Sequence, residues 1–160
     1  MVSLAKIDLE QKLEYLEWAS TKTGWFIDPH GKAWFTHFTS DGTICSVAFY
    51  HNWITGGNVQ LGLATDGSRR GLSKSFIRTV FRYAFDILRV HRITITVYRH
   101  SDKDNSNWIS QLIRMGGIVE AELIDWFAPG VNGIMLRFTK DSICNSKFGQ
   151  VVFGDSYEWR

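Results

Sequence analysis

The sequence predicts one mixed α/β domain, a central and largely antiparallel sheet flanked by helices. Three observations carry this. The elements run helix, two hairpin strands, strand, helix, strand, helix, two strands. Asp41-Gly42 joins two β-type runs, the strongest short hairpin signal. A strand–helix–strand unit in the middle places its two strands side by side in one sheet. The chain has 160 residues, 44% hydrophobic and 14% aromatic, enough to build a core without staples. Only two prolines occur, against a linker-rich or disordered chain.

The first element reads as a helix. Asp8 and Gln11 have capping-box spacing, and Leu9, Leu13 and Leu16 share a face that Glu10, Glu14 and Glu17 avoid. Gly24 closes it. Strands follow at Ala33–Phe38 and Thr43–Tyr50, and Gly56-Gly57 turns into a third, Asn58–Ala64. An amphipathic helix runs from about Leu72 to Leu88, with Phe76, Ile77, Val80, Phe81, Ala84 and Phe85 on one side. Arg92–Tyr98 is a β-branched strand, and a helix from Asn105 or Ser106 to Met115 ends at Gly116-Gly117. Two closing strands, Val119–Phe127 and Gly133–Thr139, flank a Pro129-Gly130 turn. Residues 1–140 form the domain. Residues 141–160 are a tail that pattern alone does not place, although Val151-Val152-Phe153 is apolar.

Several chemistries are excluded. Cys45 and Cys144 give no disulfide framework or zinc spacing, and the five histidines show no HExxH. Cys45 alternates within an apolar strand and reads as core, with pairing to His51 or His91 as the reactive alternative. The charge-free stretch from Asp41 to Asp66 is broken by His51, asparagines and glycines, so it reads as strands rather than a membrane span. No signal peptide is read at the N-terminus, so a cytoplasmic protein is expected, in the host cytoplasm if the protein is viral.

Charge is unevenly spread. Eight basic residues and one acidic residue, Asp86, lie between Arg69 and Arg99, which gives that segment +7, whereas the whole chain is +2. An anionic ligand or a solvated basic helix face both explain the block. The loop Gly67-Ser68-Arg69-Arg70-Gly71-Leu72-Ser73 lies between a strand and a helix N-terminus, where unpaired amides and the helix dipole suit a phosphate. Arg69, Arg70 and Lys74 add charge, and Gly71 lets backbone approach closely in a loop expected to be exposed. Ser73 reads either as part of that cradle or as a helix N-cap.

Residues 59–117 resemble the cofactor half of the GNAT superfamily of acyl-CoA-dependent N-acetyltransferases. The loop Ser68-Arg69-Arg70-Gly71-Leu72-Ser73 falls on that family's [RQ]-x-x-G-x-[GA] motif, with Gly71 matched and Ser68 and Ser73 departing from it. Asn105, Trp108, Leu112 and Gly116 follow the spacing of the family's second signature, with Leu112 where a tyrosine is usual. Leu16-Glu17-Trp18-Ala19, Phe81-Arg82-Tyr83-Ala84-Phe85 and Asn132–Arg137 are similar to phage-encoded members related to enzymes that acetylate protein N-termini.

The resemblance implies acetyl-CoA as cosubstrate, its arm lying between strands Val59–Ala64 and Arg92–Tyr98. Leu63, Ala64, Ser68, Arg69, Arg70, Gly71, Leu72, Ser73, Lys74 and Asn105 would hold it. The amine acceptor is open: a protein N-terminus or lysine, of host or virus, or a small amine. Leu112 offers no proton, so no catalytic residue is assigned; Tyr98, His100, Ser106 and Ser110 are the neighbours in sequence. Trp25, Trp34, Trp53 and Trp126 make the acceptor side aromatic-rich, which suits a hydrophobic substrate groove, with most of them reading as core. Two alternatives stand: a GNAT-fold virion or interaction protein without turnover, and nucleic-acid binding through Lys74, Arg78, Arg82 and Arg89. The apolar stripe of that helix makes nucleic acid the weaker of the two.

Overall fold

The computed structural model describes residues 6–8, 10–24, 27, 33–68, 71–100 and 106–154. Seven strands form one sheet in the order β1-β2-β3-β4-β5-β7-β6. They are β1 (Lys6–Asp8), β2 (Ala33–Phe38), β3 (Ile44–His51), β4 (Asn58–Thr65), β5 (Arg92–His100), β6 (Ile118–Ala128) and β7 (Val131–Phe138). All neighbours are antiparallel except β4 and β5. The helices are α1 (Leu13–Thr23), α2 (Lys74–Arg82), α3 (Ser106–Arg114), α4 (Lys140–Cys144) and α5 (Gly149–Phe153), and α2 continues into a π-helical turn, Tyr83–Ile87.

The parallel pair is the feature that positions the site. β4 and β5 share only three register pairs, Asn58↔Arg92, Val59↔Ile93 and Gln60↔Thr94. β4 nevertheless continues to Thr65 and β5 to His100, so the two strands part and leave a wedge in the sheet. The core fills both faces below it. Phe76, Val80, Phe81 and Ala84 of the α2 segment pack on Val59, Ile93, Leu136 and Phe138, all essentially buried. Each of these side chains larger than alanine contributes about 1.5–3 kcal/mol. On the other face, Tyr15, Leu16 and Ala19 of α1 form a second cluster with Ile27, Val47 and Ala64, against which Trp18, Phe38, Ile44 and Phe49 pack.

Two expectations are corrected. Asp8 does not cap α1: it belongs to β1, opposite Thr36, and its carboxylate accepts from the Tyr15 hydroxyl at 2.6 Å and the Glu10 amide at 2.9 Å. The helix starts after Lys12, whose side chain makes no cap. The α2 helix begins at Lys74 rather than Leu72, because Ser73 takes the N-cap and accepts from the Phe76 amide at 3.2 Å.

Beyond residue 140 the chain is ordered through α4 and α5. Thr139 and Ser142 form a reciprocal capping box, and Ile143, Val152 and Phe153 are buried in the main core. Phe153 meets Phe85 with ring centres 6.3 Å apart, and the Arg78 guanidinium donates to the Val151 carbonyl at 2.8 Å. Gly116 lies under this segment: at φ +102°, a Cβ there would come within 2.5 Å of the Ser142 carbonyl oxygen.

Candidate functional site

Two cavities open where β4 and β5 part. The larger, about 940 Å³, runs from the wedge past the start of α2. The smaller, about 340 Å³, lies between β4 and β5, with Phe49 of β3 and Trp126 and Phe127 of β6 in its walls. Both sizes are those of ligand sites. Leu63, Tyr98, Trp108 and Thr23 line both, so the two volumes meet at these residues.

The predicted binding residues divide as follows. Leu63, Ala64, Ser68 and Leu72 line the larger cavity. Lys74 is the exposed first residue of α2 and Ser73 its N-cap. Arg69, Arg70 and Asn105 lie outside the described residues, as do His100 and Ser106 as side chains. Trp25 also lies outside them, and Trp34 does as a side chain. Ser110 is exposed on α3. Leu112 is fully buried in the core and lines neither of these two cavities.

Gly71 needs a correction. The sequence predicts an exposed loop, but Gly71 is buried, and its carbonyl accepts from the Ser46 hydroxyl on β3. A Cβ added there would meet Ser46 Oγ at 3.0 Å, the Cys45 carbonyl at 3.2 Å and Thr65 Cβ at 3.2 Å. The close approach that glycine permits is therefore to the sheet. The preceding amides are also engaged: Ser68 donates to Asp66 at 2.8 Å, Gly67 to Thr65 Oγ1 at 3.2 Å, and Gly71 to the Ser68 carbonyl at 3.2 Å.

Charge at the larger cavity comes from residues the sequence pattern did not single out. Among the described residues Lys22 of α1, Arg114 of α3 and Lys147 between α4 and α5 line it, against one carboxylate, Asp66. These three cations are far apart in the chain, and no local pattern links them. Of the basic block, Arg78 is tied to Val151 and Arg82 pairs with Asp86 at 3.2 Å, so that helix face is partly committed to structure.

Beneath the loop is a buried polar cluster. Cys45 Sγ lies 3.1 Å from His37 Nδ1, and Ser73 Oγ lies 3.4 Å from His37 Nε2. The ring stacks on Phe76 at 5.2 Å. Burial lowers the His37 pKa, with the Asp66 charge opposing it weakly. A neutral imidazole donates at one nitrogen and accepts at the other, so it links β2 and β3 to the α2 cap. Cys45 is thus core, as its alternation suggests, but its histidine is His37 rather than His51 or His91. The hairpin register, which places His37 opposite Ser46 and Phe38 opposite Ile44, brings the two together across the strand pair.

At the junction of the cavities, Tyr98 packs edge-on to Phe127 with ring centres 6.3 Å apart. Trp126, half exposed at 53%, stands at the mouth of the smaller cavity. Trp53 does not: its indole N–H donates to the Leu88 carbonyl at 3.0 Å, and it packs against the core. Among the described residues no group of His, Cys, Asp or Glu is placed to hold a metal ion. Nor is any helix there long and apolar enough to cross a membrane.

No family model matches the chain, and no curated protein matches it in sequence. Solved structures do. It is similar to mutant forms of the spermidine/spermine N-acetyltransferase SpeG from Vibrio cholerae, with a TM-score of 0.68 at 13% identity over 89% of this chain and 98% of that one. The same spermidine acetyltransferase in a dodecameric intermediate state gives 0.67 at 12% identity, over 88% and 96%. A putative phosphinothricin N-acetyltransferase gives 0.63 at 10% identity, over 85% and 98%. The likeness establishes the fold: a mixed seven-stranded sheet flanked by helices, of the GNAT type.

Proposed function

We propose that this chain is an N-acetyltransferase that takes acetyl-CoA as cosubstrate and an amine as acceptor. The observation that carries the proposal is the wedge between β4 and β5 with a cavity on each side of it, meeting at Leu63 and Tyr98. Strand edges exposed in the wedge have backbone groups to offer an amide-bearing arm. Lys22, Arg114 and Lys147 suit its phosphates, and an anion at the loop would meet the amides of residues 72–75 at the start of α2. Asn105, Arg69 and Arg70 remain part of the proposal through the family motif. In the reaction a nitrogen–carbon bond forms at the thioester carbonyl, the carbon–sulfur bond breaks, and the proton shed by the amine ends on sulfur. Two described hydroxyls line both cavities, and Thr23 donates its own to the Ala19 carbonyl at 3.0 Å, so Tyr98 is our candidate for the proton donor. We place the protein in a reducing, cytoplasmic compartment, in keeping with Cys45 and Cys144 both being free thiols, and among the phage-encoded members on the segments that resemble them.

The test is thermal denaturation with acetyl-CoA, CoA and ATP. At a hundredfold excess over Kd, binding adds about 2.7 kcal/mol, a rise of roughly 5–11 °C for a chain of this size. A rise with the first two alone is expected, together with thiol release in the presence of an accepted amine; an equal rise with ATP, or none, refutes the site. A non-catalytic reading is favoured by one observation, buried Leu112 in the position of the family tyrosine, and CoA binding without thiol release from any amine would select it.

A further inference from the structure

We infer that the acceptor is a primary amine attached to an apolar body, and not a polyamine; this rests on the proposed transfer reaction. The smaller cavity is built by two glycines that lay aromatic rings down on the sheet. At Gly62 on β4 a Cβ would come within 2.0 Å of the Phe49 ring, so Phe49 lies directly across that strand. At Gly133 on β7 a Cβ would come within 3.0 Å of Trp126 and 2.9 Å of Thr96, so Trp126 lies across the neighbouring one. The wedge runs between the two rings, and Ile27 and Phe127 add apolar surface.

Trp126 is aimed there by a backbone device. Asp125 has φ +51°, a left-handed conformation that non-glycine residues seldom adopt, at a register shift between Leu123 and Ala128. Its amide donates to Asn132 Oδ1 at 3.0 Å, and its carboxylate accepts from the Gly130 amide at 2.7 Å. The polar groups of the cavity, His51, Gln60, Thr94, Thr96 and Tyr98 with Thr23, are all uncharged or, for His51, basic when ionised. Among the described residues no carboxylate lines it. Glu120 of β6 is held by Arg92 at 2.6 Å and Arg137 at 2.9 Å, and Glu122 accepts from Asn132 at 3.1 Å. A second ammonium charge buried here would meet no carboxylate among the described lining residues, which is costly, whereas an aromatic or aliphatic group would be desolvated by both rings. The same apolar walls favour the neutral form of the attacking amine.

Two sources share this chemistry, a free arylalkyl amine and a peptide N-terminus with an apolar first residue. Thiol release is measured with acetyl-CoA and 2-phenylethylamine, the tetrapeptide Met-Leu-Ala-Ala amide, or spermidine. Binding of the neutral product amide N-acetyl-2-phenylethylamine and of the Nα-acetylated tetrapeptide is measured separately by calorimetry, with and without CoA. The expected result is kcat/KM at least about tenfold higher for one of the first two amines than for spermidine, and binding of the matching product. Trp126→Ala should raise KM about tenfold with kcat less affected, and Trp126→Phe should restore most of it. Preference for spermidine overturns the inference and leaves the transferase standing. Absence of both turnover and product binding for the apolar probes also overturns it. Failure of CoA to stabilise the protein strikes the transferase instead, since the product isotherm without CoA is read independently.

Discussion

Replacing Gly71 by valine tests whether the loop before α2 is packed rather than merely exposed. The glycine φ is not in the left-handed region, so the cost of a side chain here is steric. Its Cβ would already sit at 3.0–3.2 Å from Ser46 Oγ, the Cys45 carbonyl and Thr65. Two further methyls have no room, and overpacking of this kind costs about 1–3 kcal/mol. Displacing the Ser46 hydroxyl from the Gly71 carbonyl adds about 1 kcal/mol. A total of about 2–4 kcal/mol lowers the melting temperature by roughly 5–15 °C. Gly67→Ala is the control: it has φ +81° with nothing within 4 Å of its Cβ, so its cost is conformational, about 1–2 kcal/mol. Urea denaturation of wild type, Gly71→Ala, Gly71→Val and Gly67→Ala should give graded losses at position 71. Stability of Gly71→Val within about 0.5 kcal/mol of wild type would refute the packing argument, because surface substitutions fall in that range.

Phe153→Ala should cost about 3–5 kcal/mol by urea denaturation, since the ring is 7% exposed against Phe85; a surface-sized effect would mean α5 is not part of the core. The lowered His37 pKa means that the unfolded chain binds the proton more readily than the folded one. Stability should therefore be full above the ordinary histidine value of 6.5 and decline as pH falls below it, a slope that His37→Gln should remove; an unchanged acid limb in the variant would point elsewhere. Tyr98→Phe should reduce kcat by about 10²–10⁴-fold if its hydroxyl returns the proton to sulfur, with CoA binding kept. Equal kcat in single-turnover assays would dismiss it as the acid.

The hairpin of β2 and β3 and the α2 stripe were legible because local chemistry decides them: Asp41-Gly42 sets the turn, and six apolar residues from Phe76 to Phe85 repeat at helical spacing. The start of α1 was not, since Asp8 has the composition of a cap and its true partner, Tyr15, is fixed by the pairing of β1 with β2. The wedge itself follows from the length of pairing between β4 and β5, which no residue type encodes. Lys22, Arg114 and Lys147 share a cavity only after folding, so their convergence carried no sequence signal. Pairing Cys45 with His37 required a register that the shift between His37 and Phe38 obscures.

The packing of α5 on α2 has a consequence for biosynthesis. The helix that needs covering ends at Arg82, while its cover starts at Gly149, 67 residues later. At about 5–20 residues per second of translation, the flank carrying Phe85 waits roughly 3–13 s for Phe153. During that interval the nascent chain presents an aromatic surface to the translation machinery and to any chaperone waiting beside it. Slow codons between residues 83 and 148 would lengthen the exposure, so yield in a heterologous host should depend on synonymous sequence in that interval as well as on the stability of the finished protein.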